Sequence, residues 1–115
     1  MAKQVHKFTF TQAGHKQYQV SGLSERCLNP YRMLSASLPS GAQVVMANID
    51  RLGHFCLWIE GDFESNRKLW NTKYFAAYFT GKHVPGNAHH VGSTVDDEDG
   101  SPYHCYDITE WVEHQ

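Results

Sequence analysis

The sequence predicts a mainly β protein, a small antiparallel barrel or sandwich of about six or seven strands with one short helical segment. Segments of alternating apolar and polar residues recur along the chain, and clusters of Gly, Pro, Asn and Asp separate them. The 115 residues, 41% of them apolar and 19% charged, are typical of one globular domain. We therefore treat residues 1–115 as a single small β-rich domain.

The N-terminal part of the chain holds the first predicted strand and the predicted helical segment. Residues 6–11 alternate between two faces, as a half-buried strand does, and residues 17–20 can pair with them. Asn29 is a suitable N-cap and Pro30 a suitable first helical residue. One or two helical turns are therefore expected over residues 30–36.

The middle of the chain predicts a hairpin followed by a buried strand. Residues 43–50 and 54–60 are both strand-like, and Gly53 lies in their connection, where a positive φ is expected. Residues 64–70 are polar and have the composition of one helical turn. Residues 73–80 are apolar on both faces, which predicts a central strand that is covered on both sides.

The C-terminal part is acidic. Residues 89–95 and 103–109 are the last two predicted strands, an acidic loop over residues 96–101 joins them, and residues 110–115 are expected to be a short tail. Residues 92–115 contain seven acidic residues and no Lys or Arg, although the net charge of the whole chain is only −2. A solvated loop is one interpretation of this charge, and a surface for a basic partner is the other.

Composition also bears on the compartment. The start of the chain lacks the apolar stretch of a signal peptide, and no apolar run approaches the ~20 residues that a membrane span needs. Cys27, Cys56 and Cys105 form no C-x-x-C motif, and reduced thiols are the default for such a set. We expect a cytoplasmic protein that contacts neither a membrane nor nucleic acid directly.

Catalytic and metal-binding motifs are missing from the sequence. Four histidines cluster late in the chain, but His89 and His90 point to opposite faces of a strand, and no zinc-binding motif accompanies them. There is no G-x-S-x-G elbow, and we expect the side chains of Cys56 and His54 to diverge. We therefore predict a protein without enzymatic activity, catalytic residues, a metal or another cofactor.

Two kinds of binding site remain. Trp70 lies in a polar segment where burial is not expected, and exposed aromatic and Arg residues are the usual anchors of protein interfaces. The predicted protein-binding residues are Tyr31, Arg32, Trp70, Asp96, Asp97, Glu98 and Asp99. The alternative is an anionic ligand, held by basic side chains and a stacking aromatic ring. The residues predicted for that alternative are Trp58, Lys82, His83, His89, His90 and His104.

Five short motifs follow one another in a fixed order. They are Val5-His6-Lys7-Phe8, Leu38-Pro39-Ser40-Gly41-Ala42-Gln43-Val44-Val45, Phe55-Cys56-Leu57-Trp58, Phe79-Thr80-Gly81-Lys82-His83 and His89-His90-Val91-Gly92-Ser93-Thr94. With a closing His-containing strand, they resemble a family of short uncharacterised proteins of phages and bacteria, a domain of unknown function. The resemblance covers roughly residues 4–10 and 38–108, and it implies a small β-rich fold and a phage setting but no catalytic residues. Against that family, residues 21–37 resemble an insertion, and the acidic loop looks enlarged.

These observations predict a non-enzymatic binding protein of phage origin, and we expect it to inhibit a host protein by direct contact. A component of an antiphage defence system with a basic surface is the expected partner. The alternative is a sponge that sequesters a nucleotide signal, as a homo-oligomer. A small nucleotide-hydrolysing enzyme is the third hypothesis.

Overall fold

The structure, a computed structural model, describes residues 2–12, 32–96 and 100–114. Within them lie a 3-10 helix at Arg67–Leu69 and one α-helix, α1, at Thr109–Glu113. The strands are β1 (Gln4–Thr9), β2 (Thr11–Gln12), β3 (Arg32–Leu38), β4 (Gln43–Ile49), β5 (Phe55–Gly61), β6 (Asn71–Phe79), β7 (His89–Val95) and β8 (Pro102–Asp107). The predicted mainly β class is confirmed.

The strands form two antiparallel sheets. The smaller sheet has the order β1-β5-β4, and the larger has the order β2-β3-β6-β8-β7. The predicted hairpin is β4–β5, and Gly53 in its turn has the expected positive φ of 83°. Over the described ranges the two sheets form a sandwich and do not close into a barrel.

The main core lies between the sheets. Leu57 and Ile59 of β5 are fully buried, and they face the inner side chains of the larger sheet, among them Phe75 of β6. Alternation explains the arrangement, because every second residue of a strand points to the same face. The other buried members of this core are Phe10, Leu34, Ala36, Leu38, Phe55, Ala77, Tyr103 and Cys105.

A second core covers the outer face of the larger sheet. Ala76 and Tyr78 of β6 point away from the first core and pack with Ile108 and Trp111 at the C-terminal helix. Strand β6 is therefore buried on both faces and stands third of five strands, as its apolar sequence predicts. None of the described helices is both long and apolar enough to cross a membrane.

Two local expectations were wrong. Residues 32–36 are not helical, because strand β3 pairs with β6 along its whole length and alternates buried and exposed side chains. Residues 110–113 are not a simple tail but belong to α1, whose Trp111 is only 8% exposed. The predicted turn at residues 64–70 is confirmed as the 3-10 helix. The expected strand at residues 17–20 lies outside the described residues.

The structure describes only the last part of the predicted insertion at residues 21–37. Residues 32–37 belong to β3, which carries core side chains, and residues 21–31 lie outside the described ranges. The acidic loop joins β7 to β8, and its residues 97–99 are likewise not described.

The two sheets meet at a seam between β4 and β7. Thr94 Oγ1 donates a hydrogen bond of 2.9 Å to Asn48 Oδ1 across the seam. At Gly92 the backbones approach so closely that an added Cβ would lie 2.9 Å from the Cβ of Ala47. Glycine is therefore required at this position by a neighbour that lies far away in the sequence.

Candidate functional site

Trp70 occupies a partly buried position at the end of the 3-10 helix. Its indole Nε1 donates a hydrogen bond of 2.9 Å to Ser65 Oγ. The guanidinium of Arg67 lies 4.9 Å from the centre of the ring, and the Phe63 ring meets it edge-on at 5.9 Å. These contacts fix the orientation of the indole.

The cluster around Trp70 extends to the first strand. The imidazole of His6 stacks on Phe63 with a ring separation of 3.8 Å and an angle of 4° between the planes. Leu69, beside Trp70, is 65% exposed. We call the set His6, Phe63, Arg67, Leu69 and Trp70 the Trp70 surface. Sequence reasoning found only Trp70 of this set, because the contact between residues 6 and 63 is made by tertiary folding.

Arg32 and Asp96 lie together at another place. Both line a cavity of about 90 Å³ whose wall includes Phe55 and Tyr103. The hydroxyl of Tyr103 donates a hydrogen bond of 3.4 Å to Asp96 Oδ2. The backbone of Asp96 also closes the β7–β8 connection, since its carbonyl accepts from the Gly100 N–H at 2.8 Å. Tyr31, Asp97, Glu98 and Asp99 lie outside the described residues.

The predicted protein anchors thus occupy opposite ends of the larger sheet. Arg32 opens β3, whereas Trp70 precedes Asn71, which pairs with Leu38 at the other end of β3. Six residues of strand at about 3.3 Å each separate the two ends by about 20 Å. The structure therefore brings Arg32 and Asp96 together but places Trp70 at a separate site.

Two of the predicted ligand-binding histidines join one hydrogen-bonded chain on the outer face of the larger sheet. The Ser93 hydroxyl lies 2.9 Å from His90 Nε2 and 2.9 Å from His104 Nδ1. His104 Nε2 lies 2.8 Å from the Thr80 hydroxyl. Because Ser93 has one proton, it donates to one imidazole and accepts from the other. The tautomers of the two histidines are therefore coupled. Ser93 and Thr80 were not predicted.

The remaining predicted ligand residues do not converge on this chain. Trp58 lies on the outer face of the smaller sheet, on the other side of the sandwich, where the Lys7 ammonium is 5.8 Å from its ring. Lys82 and His83 are exposed in the loop after β6. His89 lies 3.7 Å from the carboxylate of Glu110 on α1.

An acidic side chain near the smaller sheet organises the β4–β5 turn. Asp50 accepts hydrogen bonds from Lys7 Nζ at 2.6 Å and from the His54 and Leu52 N–H groups at 2.9 and 3.0 Å. The hydrogen bond to Lys7 is the largest of the effects that hold the pKa of Asp50 well below its usual range. The adjacent Cys56 thiol is buried, which raises its pKa and keeps it protonated. The arrangement is structural, not that of an activated thiol.

A cavity of about 580 Å³ lies at one end of the sandwich. Its apolar wall includes Leu38, Ile59 and Phe75 of the main core. Lys73 of β6 and Asp107 of β8 also line it. Of the residues that line the cavity, only His90 was among the predicted ligand residues, although alternation along β6 places Lys73 on the same face as Phe75.

Two observations on the described residues concern metal ligands and thiols. No group of three or more His, Cys, Asp or Glu side chains among the described residues is arranged to hold a metal ion. Cys56 and Cys105 are buried free thiols, and burial raises the pKa of Cys105 to about 12. Cys27 lies outside the described part of the chain.

Comparison with known proteins identifies a family. The family model described as "Domain of unknown function (DUF7352)" matches residues 27–114. The chain belongs to this family. The match covers β3 to α1, and so includes the central strands of both sheets and the cavity between them. The expected resemblance to a domain of unknown function is confirmed for the DUF7352 protein, while the first motif, at residues 5–8, lies outside the match. No curated protein and no solved structure matches the chain.

Proposed function

We propose that the DUF7352 protein is a non-enzymatic, phage-derived binding protein that inhibits a bacterial host protein by direct contact in the cytoplasm. The expected target is a component of an antiphage defence system. The observation that carries the proposal is the Trp70 surface, a preassembled set in which the partly buried rings of Phe63 and Trp70 lie beside exposed aliphatic and cationic side chains. The phage setting is what the family resemblance of the five sequence motifs implies.

The Trp70 surface has the chemistry of an interface anchor. Trp and Arg dominate the binding energy of protein interfaces, especially where neighbouring contacts hold them in place. Here Ser65 and Phe63 fix Trp70, so that little side-chain entropy is lost on binding. Leu69, with 65% of its surface exposed, supplies apolar area beside the ring.

The acidic β7–β8 connection supplies a second element of the proposal. Asp96 and the adjacent acidic residues at positions 97–99 carry charge that steers a basic partner during diffusion. Asp96, which lines a cavity together with Arg32, lies about 20 Å from Trp70 by the strand length given above. A standard interface buries about 800 Å² on each partner, which is a patch about 30 Å across. One partner of ordinary size can therefore reach both elements.

The first experiment is affinity capture from the lysate of a bacterium that carries defence systems, read by quantitative mass spectrometry. Leu69→Ser is compared with Leu52→Ser, since Leu52 is 79% exposed in the β4–β5 turn and lies outside the Trp70 surface. We expect one host protein to be retained by the wild type and by Leu52→Ser, and to be lost with Leu69→Ser and Trp70→Ala. Equal retention by Leu69→Ser and Leu52→Ser would contradict the role of the Trp70 surface.

The steering element is tested separately with the captured protein. Changing the four acidic residues 96–99 to Ser should lower the association rate and flatten its dependence on salt, while the dissociation rate changes little. An unchanged association rate at low salt would remove the steering role and leave the anchor role intact.

The second candidate function is a nucleotide-signal sponge, and the linked side chains of His90, Ser93 and His104 favour it. They place two imidazoles and a hydroxyl on one exposed face, where an anionic ligand can replace the hydrogen bonds that these groups make to one another. A ligand that binds only the native state raises the melting temperature as its concentration rises. We would measure this shift over a panel of nucleotides, for the wild type and His104→Ala, together with the oligomeric state by native mass spectrometry. Hydrolysis that is lost in His104→Ala would favour the enzyme hypothesis instead.

A further inference from the structure

We propose that the cavity between the two sheets is a binding site for a small organic anion with an apolar body and an N–H donor. The site is distinct from the Trp70 surface, because its lining includes no member of that set. The proposal does not depend on inhibition of a host protein.

The size and walls of the cavity suit a small molecule. Its volume of about 580 Å³ falls in the range of about 300 to 1,000 Å³ that is usual for ligand sites. Leu38, Ile59 and Phe75 are at most 3% exposed, and they form a rigid apolar wall that belongs to the main core. Polar groups supply more of the exposed lining than this wall does, so the cavity suits a ligand that carries polar groups on a small apolar body.

A cation faces this wall. Lys73 is half-buried and lies two residues before Phe75 on β6, so both side chains point to the inner face of the sheet. No carboxylate of the described residues lies within 4.0 Å of its ammonium, and no hydrogen bond holds it there. Because the Lys73 ammonium faces inward without a protein partner, it keeps its hydration water in the cavity. It is therefore positioned to pair with an anion that enters.

An acceptor lines the same cavity as this cation. Asp107 pairs with Phe75 across β6 and β8, and it lines the same cavity. Its Oδ1 accepts from the Thr109 N–H at 2.9 Å at the start of α1, and its second oxygen has no hydrogen bond within the described ranges. Lys73 and Asp107 do not form an ion pair with each other. A ligand with an acidic group for Lys73 and an N–H for Asp107 satisfies both.

The probe that matches this chemistry is 8-anilinonaphthalene-1-sulfonate, which has a sulfonate, an aryl amine and two apolar ring systems. Its uncharged counterpart is N-phenyl-1-naphthylamine. Fluorescence titration of the wild type should give one site that prefers the sulfonate over the uncharged amine by about tenfold, which is the size of a charge-assisted contact. Lys73→Met should abolish this preference, and Lys73→Arg should restore most of it.

Lys82→Met is the matched control, because Lys82 is exposed in the loop after β6 and does not line the cavity. It should bind the sulfonate as the wild type does. Equal affinity of the wild type for both probes, or an unchanged preference in Lys73→Met, would overturn the proposal.

Methyl NMR of the wild type locates the probe without any substitution. Sulfonate binding should shift the methyl signals of Leu38 and Ile59, which line the cavity, and leave Ile108 of the second core unchanged. Shifts at Ile108 with none at Leu38 and Ile59 would place the probe elsewhere and refute the site. This measurement decides the matter even if Lys73→Met does not fold.

Discussion

The second core depends on one side chain of the C-terminal helix. Trp111 is 8% exposed and packs with Met33, Ala76, Tyr78 and Ile108. A helix of five residues does not form by itself in water, so α1 is held mainly by this packing. Replacement of a buried Trp by Ala costs about 3–5 kcal/mol. We expect Trp111→Ala to lower the free energy of unfolding by that amount.

Urea unfolding followed by far-UV circular dichroism measures this loss. For 115 residues, an unfolding entropy of about 2.1 cal/mol/K per residue converts the loss into a fall in Tm of about 12–20 °C. Glu113→Ala, at an exposed position of the same helix, is the control and should change stability little. A loss below about 1 kcal/mol in Trp111→Ala would refute the argument, and would mean that the C-terminal residues are a dispensable tail.

Three further predictions concern the seam, a carboxylate and a thiol. Gly92→Ala should lower the free energy of unfolding by about 1–3 kcal/mol, because the new Cβ would lie 2.9 Å from the Cβ of Ala47. The double variant that also carries Ala47→Gly should recover part of this free energy, as measured by urea unfolding. Since the folded-state pKa of Asp50 is lowered, its stabilising contribution is present above the ordinary carboxyl pKa of about 4 and is lost as the pH falls below it. Asp50→Asn should therefore be less stable than the wild type at pH 7, and the difference between their urea midpoints should narrow toward pH 2. Cys105, with its pKa raised to about 12, should react with a thiol reagent only at the rate at which the protein unfolds, as measured by mass spectrometry with and without urea.

Local sequence pattern predicted the structure correctly where the residues of a single strand or turn determine it. Residues 73–80 are apolar on both faces, and β6 is buried on both faces. The pattern also located the β4–β5 hairpin and the positive φ of Gly53. In each case the side-chain period or a turn residue acts within a few neighbouring positions, so that no distant contact is needed to interpret it.

Local sequence pattern led to wrong predictions in two segments, where helix propensity and tertiary contacts disagree. Asn29 and Pro30 favour the start of a helix, yet the following residues form β3, because pairing with β6 buries Leu34 and Leu38. Residues 109–113 show little helical preference of their own, and packing of Trp111 onto the larger sheet makes them helical. Tertiary burial outweighs propensity in both segments, since propensity differences are only fractions of a kcal/mol per residue.

The chain by itself determined the β class, the central strand and Trp70 as a candidate anchor. Only the tertiary structure decided which side chains meet. It placed His6 beside Phe63 and joined His90 to His104 through Ser93. It also separated Trp58 from these two histidines and placed Lys73 in the lining of the cavity. The physical reason is that strand periodicity assigns a side chain to a face, whereas the pairing order of distant strands decides what that face opposes.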